Sequence, residues 1–292
     1  MRIKRRSANN LAEPFWVQLV IFATHVPRPP LNQFIELLWF HEGVNPDYRL
    51  ERVLPDGSME LIFNLRDETR HVFDPISRQP RETYRRSWLS GPHSEFIVID
   101  TAPNASMIGV HLRPGGAGAF FGLPLSELRN SVVELDTIWN REAQNLRDQL
   151  LETPGWSAKF RILENALLAR WRGFAPRHRA VIHALESFTR QPDNITVEKV
   201  TVEVGLSRRR LIEIFNEQVG MTPKIFCRVR RFQRAISEIQ RRHTVSWTDI
   251  ATGCGYYDQA HFINDFREFC GITPGDYADE NPDYPNFVPI RE

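Results

Sequence analysis

The chain has 292 residues, of which 41% are hydrophobic and 25% are charged, and its 37 basic residues nearly balance its 36 acidic ones. This composition is typical of a globular protein with a hydrophobic core, and it excludes collagen-like, fibrous and wholly disordered chains. The longest uninterrupted apolar run, from Leu19 to Ala23, is far shorter than the roughly 18 residues that a membrane span needs, so we expect no integral membrane protein.

The cysteines and the first residues bear on the compartment. Cys227, Cys254 and Cys270 are too few for a disulfide framework and form no CxxC pair, which favours a reducing cytoplasm. The chain starts with cations ahead of an apolar run, as a signal peptide does, but Glu13 and Pro14 interrupt the join and no cleavage site follows. We therefore expect a cytoplasmic protein in which residues 1–27 form a disordered or strand-like extension.

The charges are unevenly distributed along the chain. Residues 176–277 carry 15 basic and 12 acidic side chains, whereas residues 278–292 carry one and four and read as an acidic tail. Arginine supplies 33 of the 37 cations. That bias favours planar, bidentate contacts to phosphate or guanine, although a GC-rich genome would produce it as well.

The first half of the chain reads as short apolar runs separated by turn residues. Between them, Pro55-Asp56-Gly57-Ser58 predicts a hairpin turn, because Pro fixes φ and Gly accepts a positive φ. Several strands at this spacing predict a cupin-like β-barrel or sandwich. The strand-like runs are FIELLWF (34–40), LERVL (50–54), MELIFNL (59–65), EFIVI (95–99) and SMIGVHL (106–112).

After Arg113-Pro114-Gly115-Gly116 the apolar period changes to that of helices, which are predicted over 123–129, 136–151 and 156–172. This helical layer closes the β unit. Gly173-Phe174-Ala175-Pro176 marks a boundary. We therefore expect an α+β chain with a β-rich sensor domain over 28–175.

The remainder is all helical and contains a near-repeat. Gly205 aligns with Gly255, and Phe215 aligns with Phe266, so one unit is used twice, about 50 residues apart. Each copy reads as a helix, a tight turn at the glycine and an amphipathic second helix. Caps are predicted at Ser207 and Asp258, and the inward-facing residues are Leu211, Phe215, Phe262 and Phe266.

One helix is predicted between the two copies, from Lys224 to about Arg242. Such a helix of about 19 residues spans roughly 28 Å, so it can hold two reading heads about one DNA turn apart. Arginines fill most of its exposed faces. Its predicted buried stripe is Ile225, Val229, Phe232, Ile236 and Ile239.

These features, above all IATGCGYYDQAHFINDFREFCGITPGDY (250–277), resemble the DNA-binding domain of AraC/XylS-type transcriptional regulators. The resemblance covers residues 176–277. It implies a seven-helix bundle whose two helix-turn-helix units enter successive major grooves of promoter DNA and regulate access by RNA polymerase. By position, the implied base contacts are Arg208, Arg209, Ile212, Glu213, Gln259, Ala260, Ile263 and Asn264.

The remaining DNA contacts are expected on the phosphate backbone, at Arg210, Arg228, Arg231 and Tyr257. Such regulators usually carry a cation near Asn264, which this chain lacks. We therefore expect the first unit to dominate affinity, with Gln259 and Asn264 reading adenine if they read bases. Tyr256, Cys254 and Cys270 are expected in the core.

The front of the chain resembles the uncharacterised β-rich domain that precedes this DNA reader in many bacterial regulators, through GSMELIFNL, SGPHS (90–94) and LRPGGAGAFFGLP (112–124). That resemblance implies a sensor for a small molecule or a partner protein but supplies no ligand. The glycines at 115–118 could cradle an anion, but tight strand-to-helix packing is favoured. His93, His111 and Glu60 lack the spacing of a metal centre, so we expect neither metal nor cofactor.

The sequence predicts a sequence-specific transcriptional regulator without catalytic residues. The alternatives are a cupin-type metalloenzyme with an ancillary DNA-binding domain, and a repair protein that uses a reactive thiolate. The target promoter, the direction of regulation, the effector and the pairing of chains into a homodimer stay open.

Overall fold

The computed structural model describes residues 21–44, 46–171, 177–192, 195–241 and 246–291. The strands are β1 (Ile21–His25), β2 (Ile35–Val44), β3 (Leu50–Val53), β4 (Met59–Asn64), β5 (Arg70–Phe73), β6 (Pro80–Tyr84), β7 (Ser87–Ser90), β8 (Ile97–Asp100), β9 (Ala105–Leu112), β10 (Val132–Glu134) and β11 (Phe287–Ile290). The α-helices are α1 (Gly118–Phe121), α2 (Asp136–Trp139), α3 (Arg141–Glu152), α4 (Trp156–Trp171), α5 (Arg179–Arg190), α6 (Val197–Val204), α7 (Arg208–Val219), α8 (Pro223–Arg241), α9 (Trp247–Gly253), α10 (Gln259–Cys270) and α11 (Pro274–Glu280).

The strands form two antiparallel sheets. One has the order β1-β2-β9-β4-β7-β10 and the other the order β11-β3-β8-β5-β6. A small cluster that includes Trp88, Tyr84 and Val72 packs between the sheets. Of the two predicted forms, barrel and sandwich, the described residues adopt the sandwich, and the α+β class is confirmed.

The largest core lies between the six-stranded sheet and helices α1–α4. Along β4, Leu61 and Phe63 are completely buried in this core, whereas Glu60 and Ile62 alternate onto the other face. Phe120 and Leu163 cover the core from the helical side. The predicted helical closure of the β unit is thus confirmed, because the alternation of β4 leaves one apolar face for helices to bury.

The turn at Pro55–Ser58 is present but does not close a hairpin, so that prediction is wrong. β3 pairs with β8 and β11, whereas β4 pairs with β7 and β9, and the turn carries the chain from one sheet to the other. The local chemistry agrees with expectation, since Gly57 has φ +85°. Turn residues specify where the chain reverses, but packing of whole strands decides which strands pair.

Seven helices, α5–α11, make up the described rear part, as the resemblance implies. Helices α5–α7 pack around Phe188 and Phe215. Helices α9–α11 pack around Phe262 and Phe266. Helix α8 supplies Phe226 to the first cluster and Phe232 to the second. A single helix therefore connects two small helical cores.

The C-terminal end of the chain departs from expectation, whereas residues 1–27 were expected to be disordered or strand-like and their described part includes a strand. The expected acidic tail, 278–292, includes β11, which pairs with β3 along four residues and buries Val288. Before position 27, β1 pairs with β2 as the edge of the six-stranded sheet. Residues 1–20 lie outside the described part of the chain. The net charge of the tail did not indicate the short strand Phe287–Ile290, because composition carries no information about the alternation of side chains along a strand.

The front and rear parts share an extensive interface. Leu54 lies in the same core cluster as Phe266, and Gln233 donates a hydrogen bond of 2.8 Å to the carbonyl of Pro55. The glycines that end α7 and α10 lie against the front part, Gly220 beside Leu125 and Gly271 beside Phe96. The helical part is therefore packed against the β sandwich rather than tethered to it.

Candidate nucleic-acid interface

The first helix-turn-helix unit, which we call the first head, consists of α6, the turn at Gly205 and α7. Gly205 ends α6 in a left-handed conformation with φ +68°, as the tight turn requires. Ser207 caps α7 by accepting a hydrogen bond from the backbone N–H of Arg210. Leu211 and Phe215 are completely buried. The predicted turn, cap and inward face are confirmed.

The face of α7 opposite this core is available for contact. Arg208, Arg209, Arg210 and Glu213 are exposed, and Ile212 is half-buried beside them. Three of these four charged side chains form ion pairs. Arg208 Nη1 lies 3.2 Å from Glu198 Oε1, and Arg210 Nη1 lies 3.0 Å from Glu213 Oε2. Arg209 forms no ion pair with any residue in the described ranges. Its guanidinium can therefore turn toward a base without breaking an internal contact.

The second head consists of α9, the turn at Gly255 and α10. Gly255 has φ +77°, and Asp258 caps α10 by accepting a hydrogen bond of 2.7 Å from the backbone N–H of His261. Phe262 and Phe266 are completely buried. The same local signals therefore produce the same structure as in the first head.

The predicted base-facing residues of the second head share one face of α10. Gln259, Ala260 and Asn264 are exposed, and Ile263 is half-buried and packs against the core. The hydroxyl of Thr248 donates a hydrogen bond of 3.3 Å to the side-chain carbonyl of Gln259. Because that carbonyl is already positioned by α9, the side-chain amide of Gln259 stays free to donate.

Helix α8, which we call the strut, joins the heads over 19 residues, or roughly 28 Å. Of the predicted stripe, Val229, Phe232, Ile236 and Ile239 are buried, and Ile225 is half-buried. Both recognition helices expose their N-terminal ends, while Gly220 and Gly271 at their C-terminal ends face the sandwich. The sandwich therefore does not cover the ends that would reach base edges.

The predicted phosphate contacts fall into different environments. Tyr257 is 90% exposed, whereas its neighbour Tyr256 is buried, as expected for a core residue. The guanidinium of Arg231 lies over the ring of Tyr256, 5.3 Å from its centroid, and is half-buried. Tyr257 and Arg210 are the freest of the four to reach a phosphate.

Arg228 is committed inside the protein, which corrects its expected role as a phosphate contact. Its Nε donates to Oδ1 of Asp265 at 3.0 Å, and its Nη2 donates to Asp265 and to Oε2 of Glu268, the latter at 2.6 Å. Burial alone would lower the pKa of Arg228, but the hydrogen bonds to these carboxylates outweigh burial and raise that pKa. Sequence reasoning missed this pairing. The repeat could have revealed it, since Asp265 aligns with the buried Ile214.

The histidines of the sandwich do not form a metal centre. His111 Nδ1 lies 2.6 Å from Glu60 Oε1, and His111 Nε2 lies 3.6 Å from Asp56 Oδ2. Burial alone would lower the pKa of His111, but the two carboxylates outweigh burial and raise it to about 10. His93 instead contacts Ser90. Within the described ranges, no group of three or more His, Cys, Asp or Glu side chains could hold a metal ion.

Two other sequence features have structural explanations. A Cβ at Gly116 would lie 2.1 Å from the carbonyl oxygen of Phe34, so this glycine allows close packing, whereas a Cβ at Gly118 would meet no atom within 4 Å. Burial raises the pKa of Cys227 to about 11 and of Cys270 to about 12, so both stay thiols at neutral pH. A thiolate nucleophile therefore has no support at those two positions.

Two helix-turn-helix units on one strut define a DNA-binding protein with two reading heads. A family model described as a helix-turn-helix domain matches residues 200–280, and a model of a domain of unknown function, DUF6597, matches residues 23–134. The regulator GbdR of Pseudomonas aeruginosa is 26% identical over 107 residues, which cover 37% of this chain and 28% of that protein. The xylose operon regulatory protein of Escherichia coli K12 is 32% identical over 87 residues, which cover 30% of this chain and 22% of that protein.

The chain therefore spans about a quarter of the length of these two curated relatives. The crystal structure of ToxT from Vibrio cholerae covers 90% of this chain and 99% of its own, at 9% identity and a TM-score of 0.45. From the two domain matches, the chain combines an AraC-type helix-turn-helix domain with an N-terminal DUF6597 domain, and both curated relatives of the helix-turn-helix part are regulatory proteins. Within the described ranges, no helix has the length and apolar composition to cross a bilayer.

Proposed function

We propose that this chain binds promoter DNA sequence-specifically by placing α7 and α10 in successive major grooves. The observation that carries the proposal is the pair of heads, each with a buried core and an exposed N-terminal face, at the two ends of one strut. A strut of roughly 28 Å approaches the 34 Å of one DNA turn, and the heads extend beyond the helix ends.

The two heads have different roles in this proposal. Arg209 of the first head reads guanine, because its guanidinium is exposed and has no ion-pair partner in the described ranges, while Arg208 and Ile212 flank it. Gln259 and Asn264 of the second head read adenine edges, with Ala260 and Ile263 as apolar neighbours. Arg210, Tyr257 and Arg231 contact phosphates and fix the register. The first head supplies most of the affinity because the second has few cations on its exposed face.

The sandwich domain modulates this activity through its contacts with both heads. Its effector, a small molecule or a protein, stays unidentified, and the regulated step is access of RNA polymerase to the promoter. We place the protein in the cytoplasm, where its DNA target lies. A homodimer stays a prediction, which the stoichiometry of the DNA complex tests.

Selection of bound fragments from random duplex DNA tests the proposal. We expect one enriched motif with two parts about one helical turn apart, and an affinity that falls steeply as salt rises, since neutralised phosphates release counterions. The role of Arg209 is tested in the same assay with Arg209→Ala. Its matched control is Arg161→Ala, which removes an exposed arginine from α4 in the sandwich domain. Enrichment without a shared motif, or equal affinity for scrambled DNA, would show that the chain is not a sequence-specific reader.

A further inference from the structure

The ion pair between Arg228 and Asp265 joins the strut to the recognition helix of the second head. The guanidinium of Arg228 contacts two carboxylates of α10, on Asp265 and Glu268, and also lies 4.9 Å from the centroid of the Phe269 ring. These three partners occupy two successive turns on one side of α10. One side chain of α8 therefore contacts a complete stripe of the recognition helix.

The near-repeat shows that this contact is specific to the second head. Asp265 aligns with Ile214 of α7, and both side chains are buried, with 5% and 2% exposure. The first head thus fills the position with an aliphatic side chain, whose packing has no preferred direction. The second head fills it with a carboxylate, whose hydrogen bonds to a guanidinium fork hold only over a narrow range of angles.

The first head is also held from outside, whereas α10 depends more on the strut. Gly220, at the end of α7, lies against Pro92 and Leu125 of the sandwich domain. At the corresponding end of α10, Gly271 lies against the side chain of Phe96. That side chain can move aside, whereas the backbone of Leu125 beside Gly220 cannot. The bond between Arg228 and Asp265 therefore adds a directional contact to the apolar packing of α10 against α8, α9 and α11.

We propose that Arg228 and Asp265 are positioning residues that set the angle of the second recognition helix, and so the spacing between the two DNA half-sites that the protein accepts. This inference rests on the proposed function. Neither side chain touches DNA in it. Asp265 is buried, and Arg228 is occupied by Asp265 and Glu268.

The substitution Asp265→Asn distinguishes a positioning role from a purely electrostatic one, because the two roles predict opposite changes in DNA affinity. The substitution removes one negative charge near DNA, so electrostatics alone predicts tighter binding. A positioning role predicts the opposite on the selected two-part site. Asp279→Asn is the matched control, because it removes one exposed negative charge from α11, the helix that follows α10, outside the contact with Arg228.

The measurement is affinity for the selected site with its two parts moved apart or together by one base pair, and for the first-head part alone. We expect the wild type to lose at least tenfold on each shifted site. Asp265→Asn should bind the selected site about tenfold more weakly, bind the three spacings within about threefold of one another, and bind the first-head part as the wild type does. Asp279→Asn should keep the wild-type spacing preference.

Arg228→Lys provides a second route if Asp265→Asn unfolds. It keeps the charge but loses the planar arrangement in which Nε and Nη2 both donate to Oδ1 of Asp265, and it should flatten the spacing preference as well. If the wild type has a sharp spacing preference and both variants retain it, this inference is overturned and the proposed function stays intact. A wild type that selects no motif overturns the proposed function, and this inference with it.

Discussion

The docking of the first head on the sandwich can be tested with one pair of glycines. Gly220 ends α7 with φ +85°, and a Cβ there would lie 2.4 Å from Cγ of Pro92 and 2.8 Å from the carbonyl oxygen of Leu125. Gly205 ends α6 with φ +68°, and a Cβ there would meet no atom within 4 Å. Alanine at either position adopts an unfavourable left-handed conformation, but only Gly220→Ala collides with the sandwich.

The expected magnitudes follow from these two contributions. The left-handed conformation costs an alanine about 1–2 kcal/mol, which is the whole effect expected for Gly205→Ala. Overpacking adds about 1–3 kcal/mol at Gly220, because the carbonyl of Leu125 is backbone and cannot rotate away. Gly220→Ala should therefore lose about 2 kcal/mol more than Gly205→Ala, which corresponds to roughly 4–8 °C in Tm for a protein of this size.

The assay is thermal and urea unfolding of the two variants beside the wild type, followed by far-UV circular dichroism. The docked arrangement is supported if Gly220→Ala has the lowest free energy of unfolding, Gly205→Ala an intermediate value and the wild type the highest. Equal losses within about 0.5 kcal/mol would show that α7 does not pack against residues 92 and 125 in solution, and would remove the direct route from the sandwich to the first head.

Three further predictions concern single side chains. Arg209→Ala should weaken the selected site by about 1–3 kcal/mol and relax discrimination at one base pair; titration of single-base variants checks this, and an equal loss on scrambled DNA would make Arg209 a phosphate contact. Leu211→Asp should unfold the rear helices, because it buries an unpaired charge in a fully buried position; an unchanged melting curve would contradict the assigned core. Because the folded-state pKa of His111 is raised to about 10, its contribution to stability is complete below the unfolded value near 6.5 and is lost as pH rises toward 10. The stability difference between wild type and His111→Gln should therefore shrink between pH 7 and pH 10, and a constant difference in Tm would refute the pairing with Glu60.

Local chemistry explains which predictions from the sequence succeeded. The heads could be predicted because every signal is short-range: a glycine at the turn, Ser207 or Asp258 as cap, and apolar residues at helical spacing. The pairing at Pro55–Ser58 could not, since a turn does not encode its partner strands. Strand β11 was hidden for a related reason. The strand Phe287–Ile290 is only four residues long and lies in a net-acidic segment. Its apolar alternation becomes recognisable only from its pairing with β3.

One physical fact limits what the sequence could predict about the strut. Counting cations assigned Arg228 and Arg231 of α8 to phosphates, but the destination of a guanidinium depends on which carboxylate lies opposite, and that carboxylate is 37 residues away in the sequence for Arg228. Arg231 lies over the ring of Tyr256, and its phosphate contact stays a prediction. Sequence patterns therefore identify the exposed starts of α7 and α10 better than they identify the role of the strut.

The contacts of the sandwich suggest how its state reaches the DNA-binding helices. The segment between β7 and β8 presents Pro92 to the end of the first head and Phe96 to the end of the second, so one short connection touches both. The Pro55–Ser58 turn adds a contact to the strut, where Gly57 lies against Phe226. Because His111 holds Asp56 of that turn from within the sandwich, a ligand that displaced this contact would move a residue packed on the strut. In the regulation proposed for the sandwich domain, this single turn is all that separates the interior of the sandwich from the strut.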